Sequence, residues 1–240
     1  MKTSTLKTIA WLTLFSISMG MLESAVVIYL REHFYPQGFD FPIQPIDTHI
    51  SIVELLRELA TIIMLLSVGI LSGRNKTEKF GWFLFCFAIW DIFYYVFLKL
   101  LINWPETLLT WDILFLIPIT WTGPVITPVI VSFTMIALAV LIAYFTDLNI
   151  PVRFGSLIWT LLITGSVILI VAFCWDYSKF ILRIYSFSDI RNIPDSKALL
   201  SLSYKYMPQL FNWFLFILGE TIIITGIVFF VLKMKKQIQE

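Results

Sequence analysis

Residues 113–146 read "ILFLIPITWTGPVITPVIVSFTMIALAVLIAYFT", and no side chain in this run carries a charge. A single straight α-helix of that length would measure roughly 50 Å at 1.5 Å per residue, against about 30 Å of bilayer hydrocarbon. The run must therefore break or bend, and how it does so decides how often the chain crosses a membrane. Three prolines and a glycine in "PITWTGPVITP" (118–128) mark the break. Upstream, Pro105-Glu106 has the form of a helix start. The expectation is a short outer helix around 105–117, a kink, and one span over 123–145, for six transmembrane helices in total. The alternative is two spans turning at "WTGP", for seven. That requires an uncharged four-residue turn at the headgroup surface.

The totals agree with a membrane address. Of 240 residues, 59% are hydrophobic and 14% charged, with a mean hydropathy of +0.87. Soluble domains carry roughly 25% charged residues. The fold class is all-α, a polytopic integral membrane helical bundle forming a single transmembrane domain over 1–240. A net charge of +1 offers nucleic acid no attraction. The expected partners are the lipid bilayer and an apolar small molecule; the sequence names no protein partner.

The other spans fall at about 9–30, 50–71, 80–102, 155–175 and 209–232. The first could pass for a secretory signal ending near Ser24-Ala25, but "VVIYL" (26–30) extends it to spanning length. A proline-interrupted loop, "REHFYPQGFDFPIQPIDTH" (31–49), follows it. An amphipathic segment around 177–191 is suited to lying in the interface. Lys2, Lys7, Arg74, Lys76 and Lys79 favour a cytoplasmic N-terminus. The expected location is the bacterial inner (plasma) membrane. Lys/Arg bias counts spans poorly: the basic tail "KMKK" (233–236) favours six, whereas Lys179, Arg183, Arg191, Lys197 and Lys205 favour seven.

Five acids fall within these spans: Glu23, Glu54, Glu58, Asp91 and Glu220. Arg57 lies among them. Each charge at the bilayer centre costs roughly 2.5–3.5 kcal/mol on insertion scales, so such groups are expected to face one another or water. Helical spacing supports a shared site. Glu54, Arg57 and Glu58 fall within a sector of about 100°, a stripe that Ser51 and Thr61 extend. Asp91, Tyr94 and Tyr95 share a face, and Trp213 stands seven residues before Glu220. By depth, the acids describe a funnel open to the outside with Asp91 and Glu220 near its floor. Asp112, by contrast, reads as a carboxylate at the start of the outer helix, complementing its dipole.

Glu54, Glu58, Asp91, Glu23 and Glu220 are thus the candidate catalytic groups. Arg57, Tyr94, Tyr95, Trp90 and Trp213 are the candidate ligand-binding groups. A protonated carboxyl beside an ionised one can act as acid and base on an apolar, lipid-like molecule such as an isoprenoid. Two other readings compete: a proton- or cation-coupled transporter, and a non-catalytic subunit or assembly factor of a membrane complex. Locally, Glu54–Arg57–Glu58 could be only a clasp between helices.

No cofactor or metal is expected. His33 and His49, near Glu32, Asp40 and Asp47, lack a ligand spacing such as His-x-x-x-His. No phosphate loop, Gly-x-Ser-x-Gly or His-Glu-x-x-His motif is present. Cys86 and Cys174 belong to different spans at opposite depths and cannot bridge. No internal repeat of the kind found in transporters is visible.

Overall fold

The computed structural model describes residues 1–45, 47–116, 119–184 and 204–239. Among them, six helices are long and apolar enough to cross a membrane. They are α1 (Thr3–Phe34), α2 (Thr48–Ser72), α3 (Lys76–Ile102), α4 (Ile126–Asp147), α5 (Ser156–Ile184) and α6 (Trp213–Gln239). Cap residues account for two of the starts. The Asp47 side chain accepts the His49 N–H ahead of α2, and the Asn75 side chain accepts the Glu78 N–H ahead of α3.

The helices alternate in direction. At one end, Asp147 accepts the Lys2 N–H at 2.7 Å and Arg74 Nη2 at 3.3 Å, so the start of α1, the α2–α3 link and the end of α4 meet. Lys233 Nζ reaches the Arg153 carbonyl at 2.9 Å, bringing the end of α6 beside the start of α5. Both chain termini therefore lie on this side, the terminal side. The far side carries the described link residues 35–45, 103–116 and 119–125.

Two packing groups make up the bundle. In the first, α3 is central, with α1, α2 and α4 packed along it while α1 and α2 make few contacts with each other. Leu12, Leu65, Trp82, Phe85 and Cys86 fill its terminal half. In the second, α5 and α6 lie close because Gly165 and Gly219 face each other. A Cβ at Gly165 would come within 2.8 Å of the Gly219 carbonyl oxygen. Without water to drive apolar association in lipid, such backbone approach is what holds helices together. Contacts of α4 with α6 join the groups.

Six spans were the expectation, and six are found. The segment before α4 differs. Instead of a helix over 105–117, β1 (Trp111–Phe115) pairs antiparallel with β2 (Trp121–Pro124). The register sets Trp111 against Pro124 and Asp112 against Gly123, with an irregularity between Ile113 and Phe115. Val125 N–H to the Thr110 carbonyl (3.0 Å) and Ile126 N–H to the Leu108 carbonyl (2.8 Å) continue the ladder. Mutual pairing satisfies backbone groups that a proline-broken helix would have left open. The hairpin rests β2 on α5. It also accounts for the uncharged run, since one part is hairpin and only Ile126–Asp147 spans.

The interfacial segment is likewise corrected over 177–184, which simply continue α5 to Ile184. Its remainder, 185–191, lies outside the described residues.

Candidate functional site

Between α1 and α2, backed by α3 and roofed by β1 and by Tyr35, Phe39 and Ile43 of the link after α1, lies a cavity of about 520 Å³. That is within the usual 300–1,000 Å³ for small-molecule sites. It exists because α1 and α2 diverge while each stays packed on α3. It lies in the far-side half of the bundle. Beneath its floor of Trp90, Asp91 and Thr61 come Leu65, Phe85 and Cys86, all buried.

Eight of the ten expected residues line this cavity: Glu23 from α1; Glu54, Arg57 and Glu58 from α2; Trp90, Asp91, Tyr94 and Tyr95 from α3. Ser51 and Thr61 extend the α2 stripe into it. Arg57 spans the gap, pairing with Glu23 on α1 and, through Nε at 2.8 Å, with Glu54 on its own helix. The clasp is thus Glu23–Arg57–Glu54 rather than Glu54–Arg57–Glu58. Glu58 reaches the roof instead, where its Oε1 accepts the Leu116 N–H at 2.9 Å. Asp91 Oδ2 accepts from Ser132 Oγ of α4 at 2.8 Å.

Two expected residues lie elsewhere. Glu220 sits between α6 and α4, where its Oε2 accepts from Thr134 Oγ1 at 3.0 Å. Trp213 packs edge-on against Phe211 and Phe216. Heptad spacing put the two on one line of α6, but α6 packs on α5 and α4, away from the cavity. The floor near Glu220 is therefore absent.

Arg31 and Asp112 were not on the expected list, yet both line the cavity. Arg31 Nη2 donates to Asp112 Oδ1 at 3.2 Å, and the two residues are 8% and 2% exposed. Tyr95 Oη donates to the other carboxylate oxygen at 3.3 Å. The guanidinium lies 3.7 Å from the Trp104 ring centroid and 4.3 Å from that of Phe39, two cation–π contacts from rings set nearly perpendicular to each other. Burial pushes the Asp112 carboxyl up to about 6, with Arg31 and the Ile113 N–H pulling it the other way. Both residues were missed for boundary reasons. The apolar run stops at Leu30, one residue short of Arg31, and a helix at 105–117 would have turned Asp112 to a cap.

Arg31 Nη1 and Trp90 Nε1 are buried and have no hydrogen-bond acceptor among the described residues. The remaining walls are mostly apolar: Val27, Phe34, Ile43, Leu55, Leu114 and Phe115. Chemically, the cavity offers carboxyls, two held guanidiniums and aromatic faces around an apolar space. No group of three or more His, Cys, Asp or Glu suited to a metal occurs among the described residues. In comparisons with known proteins, no family model, no curated protein and no solved structure matches this chain.

Proposed function

We propose that this membrane protein binds an apolar, lipid-like molecule in the α1–α2 cavity and acts on it by acid–base chemistry. One observation carries the reading: carboxyls from α1, α2, α3 and β1 converge on a mostly apolar cavity of ligand size. A protein needing only helix association has no need to gather acids from four elements around one apolar space. Glu58 and Asp91 are the groups for proton transfer: both line the cavity, Asp91 accepting from the Ser132 hydroxyl and Glu58 Oε1 from the Leu116 N–H. Tyr94, Tyr95 and Trp90 face the ligand's body.

Passage of ions is the weaker reading. The terminal half beneath Asp91 is packed with Leu65, Trp82, Phe85 and Cys86, each at most 4% exposed. With the termini cytoplasmic, as the Lys/Arg pattern favours, the cavity lies in the outer half of the bilayer.

Extraction of the detergent-purified protein with organic solvent, followed by mass spectrometry, tests the proposal. The expected result is one apolar metabolite in near-stoichiometric amount, absent from a Ser51→Trp variant whose cavity is filled. Identical extracts from both proteins would mean bulk annular lipid and defeat the reading. Asp91→Asn and Glu58→Gln should keep the bound molecule but lose its conversion.

A further inference from the structure

Where the cavity meets the surface of the bundle decides how it is reached. We infer that its ligand enters sideways from the bilayer, between α1 and α2, and is a molecule dissolved in the far-side leaflet rather than in water. The inference rests on the binding reading above and names where the bound molecule comes from.

The first observation is a gap in the wall. The cavity is lined by α1 between Glu23 and Phe34 and by α2 between Thr48 and Thr61. Both helices pack along α3, yet they make few contacts with each other. Ile52 and Leu55 of α2 line the cavity and are nonetheless 52% and 43% exposed. Lining residues of a closed cavity would be largely covered, as Thr61 is at its floor. The wall is therefore open at these two positions. The α2 stretch that lines the cavity is roughly 20 Å long at 1.5 Å per residue, so the opening lies within the membrane depth of the helix.

The second observation is what borders the gap. Val27 and Leu30 on α1 and Ile52 and Leu55 on α2 are apolar and line the cavity. The ion pair of Arg57 with Glu23 crosses from α2 to α1 nearer the midplane, one turn of α1 below Val27. An apolar molecule is already concentrated in the bilayer, by about 0.8 kcal/mol per CH₂ buried. It can pass an apolar border without exchanging hydration.

The third observation is the end that faces water. There both helices are tied to the roof: α1 through Arg31 to Asp112 at 3.2 Å, α2 through Glu58 to the Leu116 N–H at 2.9 Å. Phe39 of the roof packs edge-on against Trp104, with ring centroids 5.8 Å apart. Entry from water would break these ties, whereas entry from lipid leaves them in place.

Time-resolved photolabelling tests the route. The full-length protein is reconstituted in phosphatidylcholine vesicles. A fifteen-carbon isoprenoid alcohol with an alkyl diazirine midway along its chain is then injected and partitions into the bilayer. Flashes at set times fix the captured probe, read by mass spectrometry as label on residues 90–95 of the cavity floor. Release is followed after mixing with probe-free vesicles. Ile52→Trp and Leu55→Trp add bulk at the gap. Val53→Trp adds it at similar depth, at a position 47% exposed that does not line the cavity. The two gap variants are expected to slow capture and release alike, by about tenfold, with final occupancy within about twofold of the wild type. Val53→Trp should match the wild type. Capture by the gap variants at the wild-type rate overturns the inference. So does equal slowing in Val53→Trp, or lower occupancy with no change in rate. Ile43→Ala thins the roof, and capture made about tenfold faster by it would place the entrance toward water and overturn the inference as well. Absence of label on 90–95 in the wild type at every time would instead remove the binding reading beneath.

Discussion

Asp112 is a buried carboxyl whose ion pair does not fully offset its loss of water. A free aspartate releases its proton near pH 3.8, and burial moves this one to about 6. Between those values the folded protein holds a proton that the unfolded chain has shed. Stability therefore falls as pH rises through that window and levels off above it. Asp112→Asn resembles the protonated acid and does not titrate. In detergent, the stability of Asp112→Asn relative to the wild type, read from unfolding midpoints, should shift in the variant's favour by up to about 3 kcal/mol between pH 4 and pH 7.5. A difference that stays constant with pH would mean that Arg31 offsets the burial of the Asp112 carboxylate in full. The dipeptide Trp-Asp occurs three times, at 90–91, 111–112 and 175–176, and the three acids share a logic seen only in the structure. Asp91 meets Ser132, Asp112 meets Arg31, and Asp176 Oδ2 accepts from Tyr206 Oη at 2.8 Å. Each acid ties its own element to a distant one. Sequence spacing showed which face an acid occupies on its helix; it could not show which neighbour waits opposite, and Glu220 was misassigned for that reason.

Among the elements, the spans were legible and the hairpin was not. Hydropathy marks a span because only an apolar helix hides its backbone from lipid at low cost. Within 113–124, apolar residues follow one another without a period of either two or 3.6, so strand and helix look alike. What separates them is the partner, β2 lying against β1, which is a tertiary fact. The α5–α6 pair shows a complementary signal. Gly165 and Gly219 sit in ordinary apolar text, yet a Cβ at Gly165 would meet Ile223 Cγ1 at 2.5 Å and the Gly219 carbonyl at 2.8 Å. Backbone cannot step aside as a side-chain end can. Gly165→Leu is expected to cost about 3 kcal/mol or more, at or beyond the usual overpacking range. Equal bulk at the exposed Thr221 of α6 should change stability by less than about 0.5 kcal/mol. Unfolding midpoints of the two variants in one detergent make the comparison. Similar losses would show that α5 and α6 do not depend on this close approach.

Across the whole molecule, cohesion is uneven, and the cavity lies where it is least. Only 22% of the apolar window of α2 is buried, against 39% for α5. Along its length α2 packs on α3, and few residues of α1 come near it. What closes the far end is polar: Arg57 to Glu23 across the gap, and Glu58 to the Leu116 N–H of the roof. A ligand arriving from the bilayer would find this seam the easiest to part, since separating α1 from α2 breaks ion pairs without exposing a packed core. Stability within a protein is graded in this way, and the parts that move for a ligand come from its weaker end. Arg57→Met removes the crossing tie while keeping an unbranched side chain of similar reach. Amide hydrogen exchange followed by mass spectrometry should then show faster exchange over 48–72, and unchanged protection over 156–184 and 213–239. Acceleration spread evenly over all six helices would mean that Arg57 supports the bundle at large, and the seam would lose its claim to be the route into the cavity. Acceleration confined to α2, together with loss of the apolar molecule proposed to bind there, is the outcome expected of a clasp that both shapes the cavity and governs access to it.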